Sequence, residues 1–140
     1  EPRPQTSVIE YSLSIPGEVQ VCQTGATVSA QIGAWNPDHA RAGESVGVVQ
    51  VDQAAWPLRV RSRRSGDRFQ PLGMIGRKKL QDFFVDQKVP RNRRDGVPIV
   101  VDSADRIVWV AGHQIDQAFR VKDPAQAVII LRLKGLGGSD

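Results

Sequence analysis

The sequence is poor in the residues that cross-link or anchor a chain. Its 140 residues include one cysteine, two histidines and one tyrosine. The single Cys22 excludes an intrachain disulfide and a cysteine-based metal cluster. No apolar run approaches the roughly 20 residues that a membrane helix needs. We therefore expect a cytoplasmic protein that is not attached to a membrane.

Sequence signatures of catalysis are also missing. There is no glycine-rich phosphate loop, no dinucleotide fingerprint and no nucleophile elbow around a serine. Neither His39 nor His113 has a neighbour at metal-ligand spacing that favours a site, although Asp116 follows His113 by three residues. We expect His113 to pack or bond locally, and the pattern gives His39 no role. The prediction is that this chain holds no catalytic residue and no metal.

Acidic residues are scarce between Arg59 and Arg94, where three aspartates face twelve Lys or Arg residues, a net charge of +9. The rest of the chain carries a net charge of −5. A block of cations this concentrated is typical of a surface that binds a polyanion. Nine of the twelve are arginines, and arginine suits two-pronged contacts with phosphate or guanine.

Two groups of side chains inside the basic block have alternative interpretations. Asp67, Asp82 and Asp86 could act as general bases, but carboxylates among arginines more often orient them, and we assign that role to Asp67 and Asp82. Phe83 and Phe84 could stack on bases, whereas their helical spacing favours the core for at least one of them.

Apolar periodicity predicts a strand-rich α+β fold in a single domain over residues 1–140. Residues 1–57 form a β-rich lead-in of short strands, and residues 58–135 contain the basic block and further strands. "PLRVRSR" alternates as a strand with its arginines on a wet face. The runs "IVWV" and "VIIL" predict strands buried on both faces, and "SADR" predicts a hairpin loop.

One main helix is predicted over about 77–89, packed on a mixed sheet. Apolar residues recur at helical spacing in "RKKLQDFFVDQKVP", and Pro90 ends the helix. Three cations then lie in its first turn, next to free backbone N–H groups, which is a pattern suited to anion binding.

The stretch Leu58–Asp116 resembles a known family. It contains R-x-R-x-x-G-D-R-F-x-P-L-G, then K-K-L-x-D-F-F-x-D-x-K-V-P-R-x-x-R, and then the "IVWVAG" strand ahead of I-D. This ordered series is similar to the C-terminal domain of bacterial tRNA(Ile)-lysidine synthase. The resemblance implies a fold like that domain and like a domain of the phenylalanyl-tRNA synthetase β subunit.

The resemblance also implies a function. Enzymes of the family use ATP, with Mg²⁺, to attach lysine to the wobble cytidine of a tRNA(Ile) with a CAU anticodon. That chemistry belongs to an N-terminal PP-loop domain with a Ser-Gly-Gly-x-Asp-Ser motif, which this sequence does not contain. Because the chain begins with Glu1, we expect a fragment of a longer protein. The resemblance implies that this fragment needs no cofactor and that its partners are the tRNA acceptor stem and the N-terminal domain. A homodimer is a further expectation.

Residue by residue, the basic block supplies the predicted RNA contacts. An alternative is that the basic face docks on the catalytic domain or another subunit, and a self-contained enzyme built on the aspartates is a weaker one. The predicted RNA-binding residues are Arg59, Arg61, Arg63, Arg64, Arg68, Lys78, Lys79, Lys88, Arg91 and Arg94.

Overall fold

Strands dominate the fold, as the sequence predicts. A computed structural model describes residues 10–21, 26–37 and 45–134. The strands are β1 (Glu10–Leu13), β2 (Gly17–Val21), β3 (Ala26–Gly33), β4 (Val46–Gln50), β5 (Leu58–Arg61), β6 (Arg68–Phe69), β7 (Lys78–Lys79), β8 (Ile99–Val101), β9 (Ile107–Val110) and β10 (Val128–Lys134), and the main helix is α1 (Leu80–Asp86).

The strands form two four-stranded sheets and a two-stranded ribbon. The first sheet has the order β1–β5–β8–β9, the second has the order β2–β3–β10–β4, and β6 pairs with β7. Every pairing of these strands is antiparallel, where the sequence had suggested one mixed sheet. The predicted α+β class with one main helix is confirmed.

Two hydrophobic clusters cover the two faces of the first sheet. One lies between the two sheets and includes the fully buried Trp109. A Cβ on Gly47 of β4 would lie 2.8 Å from the Trp109 indole nitrogen, so this position must be glycine for the sheets to approach. The second cluster packs α1, through Phe83 and Phe84, on the other face of the first sheet.

The strands β8 and β9 contribute to both clusters. Side chains alternate between the two faces along β8, whereas the neighbours Val108 and Trp109 of β9 both belong to the cluster between the sheets, where the β8–β9 register is irregular. Val100 belongs to the cluster between the sheets, whereas Ile99 and Val101 belong to the cluster under α1. All four residues of β9 are buried, which confirms the prediction from "IVWV". The predicted hairpin between the two strands is also present.

The helix is shorter than its predicted span of 77–89. Lys78 and Lys79 are extended and pair with β6, so the helix begins only at Leu80. At the other end, Lys88 adopts φ +59° and the Val89 N–H donates to the Phe84 carbonyl at 2.9 Å. This left-handed closure is a Schellman-type helix end, and it stops the helix four residues before Pro90. No helix in the described part of the chain is long and apolar enough to cross a membrane.

A buried carboxylate, Asp102, organises the β8–β9 hairpin. It is fully buried and accepts hydrogen bonds from the backbone N–H groups of Ala55, Ala104 and Arg106, and from the Arg106 guanidinium. Burial by itself raises the pKa of Asp102, but the bonds from Arg106 and Ala55 outweigh it, so the net pKa lies below its usual range. The hairpin therefore depends on an ionised Asp102.

Asp102→Asn should destabilise the protein at neutral pH by about 1–3 kcal/mol, because its amide group faces N–H donors that it cannot satisfy. Since the folded pKa of Asp102 is depressed, its contribution is present above the unfolded value of about 3.9 and is lost as pH falls through the folded pKa. Urea unfolding of wild type and variant from pH 7 to pH 3 should show the gap narrowing at low pH.

The matched control for this series is Asp52→Asn. Asp52 is exposed and has no side-chain hydrogen bond to a described residue, so its substitution should leave the pH profile like that of wild type. A gap for Asp102→Asn that stays constant over the whole pH range would contradict the assignment.

Candidate nucleic-acid interface

One of the predicted RNA contacts, Arg61, faces inward. Its side chain is 1% exposed, and its two terminal nitrogens donate to the two carboxylate oxygens of Asp67, each at 3.0 Å. The sequence predicted a wet face for this strand, and that prediction is wrong at Arg61. Arg61 lies opposite Ile99 in the register, on the face that α1 covers, so the side chain is enclosed by the helix layer.

Asp67 joins the strand, the turn and the helix that carry the basic block. In addition to Arg61, it accepts a hydrogen bond from the Arg64 backbone N–H at 2.7 Å. Its own carbonyl accepts from the Leu80 N–H at 2.9 Å, where α1 begins. This is the geometry of an arginine-orienting carboxylate, because both oxygens are already engaged and neither is left to act as a base.

A polar groove lies where three basic elements meet. Its volume is about 350 Å³, and its walls come from the turn after β5, the start of α1 and the 3-10 turn at Arg91–Gly96. The cations Arg63, Arg64 and Lys79 line it, together with Asp67 and Asp95. The elements that the sequence identified separately are thus brought to one place.

Several of the cations near this groove are held by acids from outside the basic block. The guanidinium of Arg59 binds Glu10 at 2.5 Å and Asp105 at 3.4 Å, and that of Arg64 binds Asp105 at 2.9 Å. Arg63 donates to Asp95 at 2.8 Å, and Asp95 is 80% exposed. Exposed pairs of this kind contribute only about 0–1 kcal/mol each, so a phosphate can replace the carboxylate at small cost.

The six remaining predicted cations either have a local partner or have none among the described residues. Lys78 forms an ion pair with Asp86, and Arg94 donates to the Val89 carbonyl at 3.0 Å. The rest are exposed and make no side-chain hydrogen bond or ion pair with another described residue: Arg68, Lys79, Lys88 and Arg91 among the predicted residues, with Arg93 in addition.

Two of these unpaired cations are direct neighbours across the ribbon. Arg68 and Lys79 stand opposite each other in the β6–β7 register. Like charges directly opposite each other in a sheet repel and destabilise it. The pair therefore leaves positive charge on the surface that no described acidic side chain neutralises.

The positions of several other side chains test the roles that the sequence predicted for them. Asp82 is exposed in the first turn of α1 and forms no ion pair with a described arginine, so the structure does not show the orienting role predicted for it. Phe83 and Phe84 are both buried, which places them in the core and not on a base-stacking surface. His113 packs edge-on against Phe83, with ring centroids 5.9 Å apart. His39 lies outside the described residues.

Chemically, the arrangement can hold anions. Asp67 is engaged by arginine and Asp86 by Lys78, so neither is a free base. Among the described residues, no group of three His, Cys, Asp or Glu side chains is placed to ligate a metal. Sequence reasoning missed Glu10 and Asp105 as partners of the arginines, because their proximity arises from strand pairing between distant segments.

Most of the chain is similar to known protein sequences. The family described as TilS substrate C-terminal domain matches residues 58–132. The tRNA(Ile)-lysidine synthase of Symbiobacterium thermophilum is 39% identical over 132 residues, which cover 91% of this chain and 27% of that protein. The enzyme of the same name from Bacillus subtilis is 36% identical over 104 residues, covering 74% of this chain and 22% of that protein. The chain thus spans about a quarter of the length of these curated relatives.

Solved structures show a similar fold. The crystal structure of a TilS C-terminal domain superposes with a TM-score of 0.81 at 30% identity, covering 96% of this chain and all of that one. An N-terminal fragment of the phenylalanyl-tRNA synthetase β subunit from Pyrococcus horikoshii superposes with a TM-score of 0.51 at 18% identity, over 69% of this chain and 30% of that one. The second match concerns the fold alone.

The Arg61–Asp67 pair gives a direct prediction. Asp67→Asn should lower the free energy of unfolding by about 3–5 kcal/mol, because it removes the two-pronged carboxylate partner of the buried Arg61 charge and leaves only the half-exposed Asp105, 3.6 Å from the Arg61 Nε. Asp82→Asn makes the same chemical change at an exposed site and should alter stability by no more than about 0.5 kcal/mol. Urea unfolding of both variants measures the difference, and equal effects would show that the pair is not the organising contact.

Proposed function

This chain belongs to the TilS substrate C-terminal domain family, and on that premise we propose that it binds tRNA(Ile) as the substrate-recognition part of a tRNA(Ile)-lysidine synthase. In this proposal the chain contributes recognition to a ligase whose ATP-dependent transfer of lysine to the wobble cytidine takes place on another domain. The relatives that carry this enzyme name are about three and a half times as long as the chain.

The observation that carries the proposal is the convergence of three basic elements on one groove. The turn after β5 brings Arg63 and Arg64, the start of α1 brings Lys79, and the 3-10 turn brings Asp95 as a displaceable anion. Arg91 and Arg93 lie on that same 3-10 turn, without an acidic partner among the described residues. Cations grouped on separate elements of one surface suit a continuous phosphate backbone.

Within the tRNA, the acceptor stem is the segment that we propose as the ligand. An A-form duplex has a deep major groove that side chains do not read, so proteins bind its phosphates, 2′-hydroxyls and shallow minor groove. Phosphate contacts position such a duplex, and a few further side chains discriminate its sequence. The exposed, unpaired cations fit the positioning role, and the enclosed Arg61 does not belong to the contact surface.

The remaining components belong to the proposed full-length enzyme. ATP and Mg²⁺ would be held by an N-terminal PP-loop domain, since this sequence has neither a Ser-Gly-Gly-x-Asp-Ser motif nor a glycine-rich phosphate loop. A cytoplasmic location follows from the same proposal, because tRNA modification of this kind uses cytoplasmic ATP and tRNA. A homodimer stays a prediction that sedimentation of the chain with and without RNA can test.

Replacing unpaired cations should weaken tRNA binding and reduce its salt dependence. Lys79→Ala and Arg91→Ala should each lower the slope of log K against log salt concentration by roughly one, the value for one lost phosphate contact. Arg132→Ala is the matched control, since Arg132 lies on β10 in the second sheet and donates to Gln31. Fluorescence anisotropy with tRNA(Ile) and with an acceptor-stem minihelix, between 50 and 200 mM salt, measures the effect.

Three results would count against the proposal. The absence of salt-dependent tRNA binding by the wild-type chain would reject RNA recognition. Equal slopes for Arg132→Ala and Arg91→Ala would reject the location of the interface. Binding to a separately produced catalytic domain in the absence of RNA, weakened by the same substitutions, would instead favour a docking surface for protein.

A further inference from the structure

An exposed apolar loop projects between the two strands of the basic ribbon. We call Pro71–Gly76 the apolar loop. Leu72 and Met74 are 45% and 44% exposed, and the Ile75 side chain is fully exposed. Single apolar residues on a surface are ordinary, but three within six residues form a concentrated patch of the kind that marks an interaction site.

Hydrogen bonds hold the apolar loop in its shape. The Gly73 N–H donates to the Gln117 side-chain oxygen at 2.8 Å, and the Gln70 amide group donates to the Met74 carbonyl at 2.6 Å. The Gln70 N–H donates to the Asp116 carboxylate at 3.0 Å, and the Gln117 N–H donates to the Gln70 carbonyl at 2.7 Å. The exposed side chains are therefore presented on a fixed backbone, which lowers the entropy cost of binding through them.

The charge around the apolar loop selects its partner. Residues 68–81 contain Arg68, Arg77, Lys78 and Lys79 and no acidic residue. Arg68 and Lys79 stand opposite each other at the base of the loop, and Lys79 also lines the groove. A partner must thus be anionic and also offer apolar surface. RNA offers both, since ribose and nucleobase surfaces lie between its phosphates, and the loop is continuous with the groove through Lys79.

We propose that the apolar loop packs against ribose or nucleobase surface of the bound RNA. The inference rests on the proposed function and adds a contact that is not ionic. Cations bind phosphates by a mechanism that salt weakens, whereas burial of Ile75 adds affinity that does not depend on counterion release. The loop and the cations around it then contribute through physically separable terms.

The two terms can be separated by Ile75→Ser. We expect roughly tenfold weaker tRNA binding, about 1.4 kcal/mol, with an unchanged salt slope and an unchanged melting temperature, because Ile75 has no core contacts to lose. Val85→Ser is the matched control, since Val85 is an exposed apolar residue on α1, outside the apolar loop, and it should bind tRNA like wild type. Anisotropy titrations across salt concentrations give both the affinity and the slope.

The choice of RNA distinguishes whether the apolar loop contacts a base at the end of the stem or the shallow groove along it. An acceptor-stem hairpin has one open end, whereas a dumbbell of the same stem closed by loops at both ends has none. An Ile75→Ser effect on the hairpin alone identifies a base at the end of the stem, and an equal effect on both identifies the shallow groove. Either result supports the proposal.

Three outcomes would overturn it. If wild type shows salt-dependent RNA binding and Ile75→Ser binds each RNA as tightly as wild type does, the proposed loop contact is wrong and the proposed function stands. If Ile75→Ser weakens binding to the catalytic domain but not to RNA, the loop serves a protein partner. If wild type binds no RNA, the loop proposal fails together with the proposed function.

Discussion

The buried ion pair between Arg61 and Asp67 is the constraint on which the basic surface depends. A guanidinium that is 1% exposed is costly unless a carboxylate compensates it. The pair connects the end of β5 to the turn that follows, and the Asp67 carbonyl fixes the first residue of α1. Buried pairs often add little net stability over an apolar replacement. The contribution of the Arg61–Asp67 pair is to position the turn after β5 and the start of α1, which are two of the three walls of the groove.

The cations of the basic block fall into two groups according to whether an acidic side chain pairs with them. Those near the first sheet, such as Arg59 and Arg64, are matched by Glu10 and Asp105, which come from distant parts of the sequence. On the ribbon and the 3-10 turn, Lys78 pairs with Asp86, whereas Arg68, Lys79 and Arg91 have no acidic partner among the described residues. Acidic residues outside the block thus offset part of its net charge of +9 near the first sheet, and the unpaired cations leave uncompensated charge on the ribbon and the 3-10 turn.

Structural features that depend on a short stretch of residues could be predicted from the sequence. Burial of β9 followed from four consecutive apolar residues. The helical spacing of Phe83 and Phe84 predicted a core position for at least one of them, and the structure buries both. The inward face of Arg61 could not be predicted, because alternation along β5 shows only that Arg59 and Arg61 share a face, not what covers it. The helix end was missed because a left-handed closure is expected at glycine, and here Lys88 adopts it. The β1–β5 pairing brings Glu10 to the arginines, and the β5–β8 pairing brings the hairpin turn that carries Asp105. No local signal encodes either pairing.

The ribbon shows how the fold can hold like charges together. Two strands of two residues each are too short to be stable alone, and the Arg68–Lys79 pair adds repulsion. Phe69 offsets this, since it is fully buried in the cluster under α1, and the hydrogen bonds of the apolar loop to Asp116 and Gln117 close the other end. The cations are thus positioned by the core, not by each other. An anion that binds these cations reduces the repulsion between them. Because the cost of that repulsion is already met when the protein folds, its relief adds favourable free energy to binding.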